Sequence, residues 1–90
     1  ILDLKRPPTR PGDMLLKEYL RPSGLTQVEA ARRMEMPLNR LNEIIRGRRG
    51  ISADTAIRFG KFFRMSPELW MALQADWDLW HAAADMRQAG

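Results

Sequence analysis

Ninety residues at 10.4 kDa allow one small domain, and 44% hydrophobic content is enough for one compact core. Zero cysteines exclude a disulfide framework, a thiol nucleophile and any cysteine-ligated zinc or iron-sulfur site, and a single histidine, His81, excludes a multi-histidine metal site. No apolar run approaches the ~20 residues that cross a bilayer, so the expectation is a soluble, cytoplasmic protein with no membrane partner and no cofactor. Charge is segregated: residues 1–36 carry a net +2, residues 37–64 a net +5 and residues 65–90 a net −3. A basic centre points to a polyanionic partner, and the acidic end to a different task.

Proline and glycine divide the chain into helix-length pieces, and no stretch alternates as a strand would. The fold class is therefore all-α. Residues 1–10, with Pro7-Pro8, read as an extended or mobile arm. Pro11 suits the first position of a helix reaching about Leu20, with Met14, Leu15, Tyr19 and Leu20 as its apolar stripe and Pro22, Ser23 and Gly24 as its end. Thr26 is an N-cap for a second helix to Met34, and Pro37 opens a third to about Arg46, where Gly47 stops it. Ser52 caps a fourth over Ala53 to Phe63. Ser66-Pro67-Glu68 combines cap, first-turn proline and first-turn carboxylate for a fifth reaching about Met86. The expected division is arm 1–10, helix-turn-helix domain 11–66 and C-terminal helix 67–90.

The short link between the second and third helices forces them to cross steeply, which is helix-turn-helix geometry. Ala30 and Met34 face inward, and small Ala31 permits close approach. At about 100° per residue from Asn39, the residues Leu41, Ile44 and Ile45 fall near 200°, 140° and 240°, whereas Asn39, Asn42, Glu43 and Arg46 fall near 0°, 300°, 40° and 340°. One face is apolar and the other polar. Asparagine can bond adenine twice, arginine guanine, glutamate can accept from cytosine, and Leu38 can touch a thymine methyl, so this helix carries the chemistry to read base pairs. Arg40 flanks it. Arg46, Arg48 and Arg49, interleaved with Gly47 and Gly50, form a loop suited to phosphate oxygens, and Thr26 and Gln27 at the start of the second helix suit the same task.

The segments Pro11-Gly12-Asp13, Gly24-Leu25-Thr26-Gln27, Arg46 to Ala56 and Ser66-Pro67-Glu68-Leu69-Trp70 resemble HigA-type antitoxins. These are repressors with lambda-repressor-like (XRE) helix-turn-helix domains, and the resemblance covers residues 11–80. It implies a five-helix lambda-repressor-like domain with a C-terminal extension helix. It also implies that Gln27 contacts phosphate, that Leu38, Asn39, Arg40, Asn42 and Glu43 face the major groove, and that Arg46, Arg48 and Arg49 flank it. Members are dimers on palindromic operator DNA, repress their own operon and neutralise a HigB-type toxin that cleaves messenger RNA. Three positions depart from the family pattern. Glu35 stands at a turn usually held by glycine, where a left-handed conformation costs roughly 1 kcal/mol. Arg10 replaces a frequent histidine, and Arg64 a common helix-ending glycine.

In the fifth helix Trp70, Leu73, Trp77, Trp80 and Ala84 recur at three and four. Trp70 is expected in the core, and Trp77 and Trp80 at a two-fold contact between protomers, because large aromatics concentrate at interface centres. His81 has no second base, cysteine or aligned serine to work with, so no enzyme is expected. Two alternatives to the antitoxin reading remain: a stand-alone regulator with no toxin partner, and a protein-interaction module with vestigial DNA binding.

Overall fold

The computed structural model describes residues 6–89, which form five helices and no strand. The first, α1, runs through Pro11–Met14, a π turn over Leu15–Leu20, and Arg21–Ser23. It is followed by α2 (Gln27–Arg33), α3 (Leu38–Ile45), α4 (Ala53–Phe63) and α5 (Pro67–Ala89). Residues 6–10 of the expected arm have no regular structure, and its residues 1–5 lie outside the described residues.

α1 runs past its expected end at Leu20, and Pro22 explains how. Proline has no N–H for the Glu18 carbonyl, and in an α register its ring would press on that carbonyl. A π turn relieves the misfit: the Arg21 N–H donates to the Leu16 carbonyl, five residues back. The wider turn also aligns Leu15 and Leu20, both fully buried, which an α-helix would set about 140° apart. Ser23 Oγ then donates to the Leu20 carbonyl at 2.9 Å, and Gly24, at φ 72°, closes the helix.

The other helix starts follow their caps. Thr26 Oγ1 accepts the Glu29 N–H at 3.1 Å, and Ser52 Oγ accepts the Thr55 N–H at 3.3 Å. Pro37 serves as the N-cap residue of α3. Ser66 Oγ donates to the Glu68 carboxylate, while the Glu68 N–H donates back to Ser66 Oγ at 3.2 Å. The Ser66 hydroxyl, followed by the backbone N–H, holds the Glu68 carboxyl below the usual range. α5 continues to Ala89, beyond the expected Met86.

Trp70 is fully buried, as its place at the start of α5 predicts, and it knots three helices together. Its ring meets Phe59 of α4 edge-on at 5.1 Å and Tyr19 of α1 at 5.5 Å, and Tyr19 in turn touches Phe63 at 4.9 Å. Leu15, Leu20, Ala30, Leu41, Ile44, Ala56 and Phe59 complete the centre of the core. α1 and α3 approach so closely that a Cβ on Gly12 would overlap the Ile44 carbonyl oxygen.

The turn between α2 and α3 is built by a left-handed residue. Glu35 has φ 56°, its N–H donates to Arg32 O at 3.2 Å, and the Met36 N–H reaches Ala31 O at 3.0 Å. These two bonds make a Schellman closure, usually assigned to glycine. Arg64 does the same at the end of α4, with φ 57° and the Met65 N–H on Gly60 O at 3.0 Å. Glu35 and Arg64 thus both take the left-handed conformation that glycine adopts most easily. Replacing Glu35 with glycine should remove the left-handed penalty and stabilise the domain by about 1 kcal/mol, raising Tm by roughly 4–8 °C. A thermal melt of Glu35→Gly that is unchanged or lower would contradict this account of the turn.

Candidate nucleic-acid interface

The outer face of α3, the start of α2 and the loop after α3 form one continuous surface. Leu41 and Ile44 are fully buried beneath it and Ile45 nearly so, which fixes the helix and turns its polar side outward. Leu38 and Asn39 are exposed; Arg40, Asn42 and Glu43 are half-buried; Arg46, Arg48 and Arg49 are exposed. The separation expected from helical spacing is therefore present in three dimensions. α3 also ends in a Schellman closure, with the Gly47 N–H on Ile44 O at 3.1 Å and the Arg48 N–H on Glu43 O at 2.8 Å. Gly47 stands at φ 79°, so the chain leaves the helix sharply and presents Arg48 and Arg49 beside it.

Several of the named side chains hold one another. Asn42 Nδ2 donates to Gln27 Oε1 at 3.1 Å, joining α3 to the first residue of α2. That bond orients the Gln27 amide and leaves its N–H groups for an acceptor outside the protein. Arg49 Nε donates to Glu43 Oε2 at 3.1 Å, and Arg40 Nη1 sits 3.5 Å from Asp54 Oδ2. These are surface pairs worth little by themselves, so an arginine can exchange its carboxylate for a phosphate or a base edge at small cost. Thr26 is engaged as the cap of α2, and Val28 beside it is 60% exposed. The arginines of α2 are occupied elsewhere: Arg32 and Arg33 both donate to Glu29, whose carboxyl they hold below its usual range, Arg32 more strongly. Arg46 and Arg48, at the end of α3 and in the loop, are exposed and have no carboxylate partner among the described residues.

Trp77 and Trp80 are both half-buried. Trp77 faces the arm and α1, lining a cleft with Pro7, Pro8, Arg10, Met14 and Tyr19, and its ring meets His81 at 4.3 Å. Trp80 meets the other side of His81 at 5.0 Å. The more exposed apolar groups of this half of α5 are Leu79 and Met86, at 55% and 75%.

Sequence reasoning missed Arg58, which braces the helix-turn-helix from α4. Its Nη1 donates to Glu35 O at 2.8 Å and to Met34 O at 3.1 Å, while its Nε is held by Asp54 Oδ2 at 3.0 Å. Only the Asp54–Arg58 spacing of four on one helix was a legible signal. The reach to the turn spans more than twenty residues of chain. This guanidinium ties α4 to the turn of the helix-turn-helix, beside the apolar contacts below it.

A helix-turn-helix family profile, HTH_3, matches residues 16–70. The chain belongs to that family. Virulence-associated protein I of Dichelobacter nodosus is 39% identical over 79 residues, covering 88% of this chain and 73% of that protein. Antitoxin HigA-1 of Vibrio cholerae is 35% identical over 77 residues, covering 84% of this chain and 71% of that protein. A solved structure of the Pseudomonas aeruginosa antitoxin HigA with the higBA promoter superposes with a TM-score of 0.85 at 38% identity, covering 91% of this chain and 90% of that one. The helix-turn-helix chain described above is of the HigA type.

Arg58→Ala should leave two turn carbonyls without a charged donor and cost about 2 kcal/mol of folding free energy, within the range for hydrogen bonds to charged groups. Urea unfolding measures this. A change under about 0.5 kcal/mol would show that the turn does not need the brace.

Proposed function

We propose that this protein is a sequence-specific DNA-binding repressor that acts as the antitoxin of a HigB/HigA-type module. It represses its own operon and neutralises a toxin that cleaves messenger RNA. The observation that carries the reading is the polar outer face of α3 continuous with an arginine loop, on a chain whose HigA relative is solved with its promoter. In this reading Leu38, Asn39, Arg40, Asn42 and Glu43 meet base edges in the major groove, Gln27 and the N-terminus of α2 meet phosphate, and Arg46, Arg48 and Arg49 track the flanking backbone. Thr26 acts through its cap, which points the first N–H groups of α2 at the duplex.

One α3 covers only a few base pairs. Two copies about 34 Å apart on one face of the duplex read a palindrome, so the reading requires a dimer. The part of α5 that carries Trp77 and Trp80 is where we place that contact. Catalysis has no place in this function: the protein works by occupying DNA and the toxin, in the cytoplasm. Among the described residues no helix is long and apolar enough to cross a membrane.

Selection of bound duplexes from a random pool should return a palindrome with half-sites one helical turn apart, and enrichment of no sequence would defeat the repressor reading. With that operator, Arg40→Ala should weaken binding by ~1–3 kcal/mol and relax one position of the site. Replacing Arg48 and Arg49 together should instead weaken all duplexes alike and flatten the salt dependence. Loss confined to the operator would contradict a phosphate role for the pair. Light scattering on dilution tests assembly: a monomer at micromolar concentration would remove the dimer.

A further inference from the structure

Gln74 reaches from α5 into the arginine loop. Its Oε1 accepts the Ile51 N–H at 2.8 Å, and its Nε2 donates to Asp78 Oδ1 at 2.9 Å, one turn further along α5. The loop backbone lies flat against this amide, since a Cβ on Gly50 would sit 3.1–3.2 Å from its carbon, nitrogen and oxygen. The Ile51 side chain is buried, so residue 51 is fixed by its side chain to the core and by its N–H to α5. The Arg10 guanidinium, paired with Asp13 at 2.8 Å, occupies the space where a Cβ on Gly47 would stand and lines one cleft with Gln74. Residues 46–50 are all exposed between these anchors, and two of them are glycines.

We propose that Gln74 is a positioning residue for DNA binding, holding the arginine loop in the pose that meets the phosphate backbone. A glycine-containing loop free to wander would have to be ordered when DNA binds, and that loss of freedom would weaken the complex. The Gln74 bond orders the loop beforehand, in the unbound protein. Asp78 takes part by fixing which end of the amide faces Ile51: with Nε2 given to a carboxylate, the oxygen is the atom left for the backbone N–H. The helix assigned to dimerisation is thereby joined through one side chain to the loop assigned to phosphate. This inference rests on the DNA-binding reading.

The test compares Gln74→Met, which keeps length and helix preference but has no comparable acceptor, with the charge-neutral pair Gln74→Glu/Asp78→Asn, in which the carboxylate accepts both the Ile51 N–H and the amide N–H now at position 78. Each full-length variant is titrated with the selected operator and with a random duplex over a range of salt. Exchange of the Ile51 amide is followed by NMR. Gln74→Met should weaken binding to both duplexes by about tenfold, make the salt slope shallower by about one unit or more, and speed Ile51 exchange. Gln74→Glu/Asp78→Asn, which leaves the net charge unchanged, should restore all three. Gln74→Ala, which removes the amide altogether, should reproduce the loss, and it carries the test alone if Gln74→Met does not fold. Wild-type affinity and salt slope in Gln74→Met, or in Gln74→Ala where that variant carries the test, would overturn the proposal, as would a Gln74→Glu/Asp78→Asn pair no better than Gln74→Met. A parent protein whose binding to every duplex ignores salt would overturn the DNA-binding reading as well.

Discussion

Everything on the presenting surface depends on how firmly α3 is held from below. Leu41 and Ile44 have no exposed area, Ile45 little, and α1 comes near enough that only glycine fits at position 12 against the Ile44 carbonyl. A helix of eight residues has little stability of its own, and its order comes from this packing. Because the buried stripe leaves α3 one rotational setting, its polar residues have one outward direction. The base reading proposed for α3 needs side chains held to a fraction of an ångström, and the apolar contact beneath it is what would hold them.

The two turns that direct the chain around α3 use the same closure with different residues. After α3 glycine takes the left-handed position; before it, Glu35 does, and the strain is balanced by a guanidinium from α4 that binds the carbonyls of the turn. The same arginine shares Asp54 with Arg40 of α3. A small network thus runs from the core side of the helix-turn-helix to its outer edge. Its carboxylate is mostly exposed, which keeps the Arg40 contact weak enough to be exchanged.

Charge on the surface is sorted by pairing as well as by sequence. Glu29 occupies Arg32 and Arg33, Glu43 draws Arg49 back along α3, and Arg46 and Arg48 stand exposed at the helix end. Arg46 and Arg48 therefore stay available to a polyanion at the end of α3, where, in the proposed function, phosphate contacts set register and base contacts set specificity.

Helix starts, the alternation of faces on α3 and the basic loop were legible in the sequence because each depends on residues within four positions of one another. Thr26, Ser52 and Ser66 act on N–H groups two or three residues ahead, and Leu41, Ile44 and Ile45 share a face by helical spacing alone. Trp70 was legible as core for a similar reason. The path of α1 through Pro22 was not, since a mid-helix proline argues locally for an end, and only the burial of Leu15 and Leu20 on one side favours the π turn. Nor could spacing reveal that Asn42 orients Gln27, that Arg58 braces Glu35, or that Gln74 holds Ile51. Those bonds span 15 to 23 residues, and whether their atoms come within 3 Å is decided by how the helices pack. The sequence determined which surfaces exist and their chemistry; the tertiary fold decided which side chains steady them.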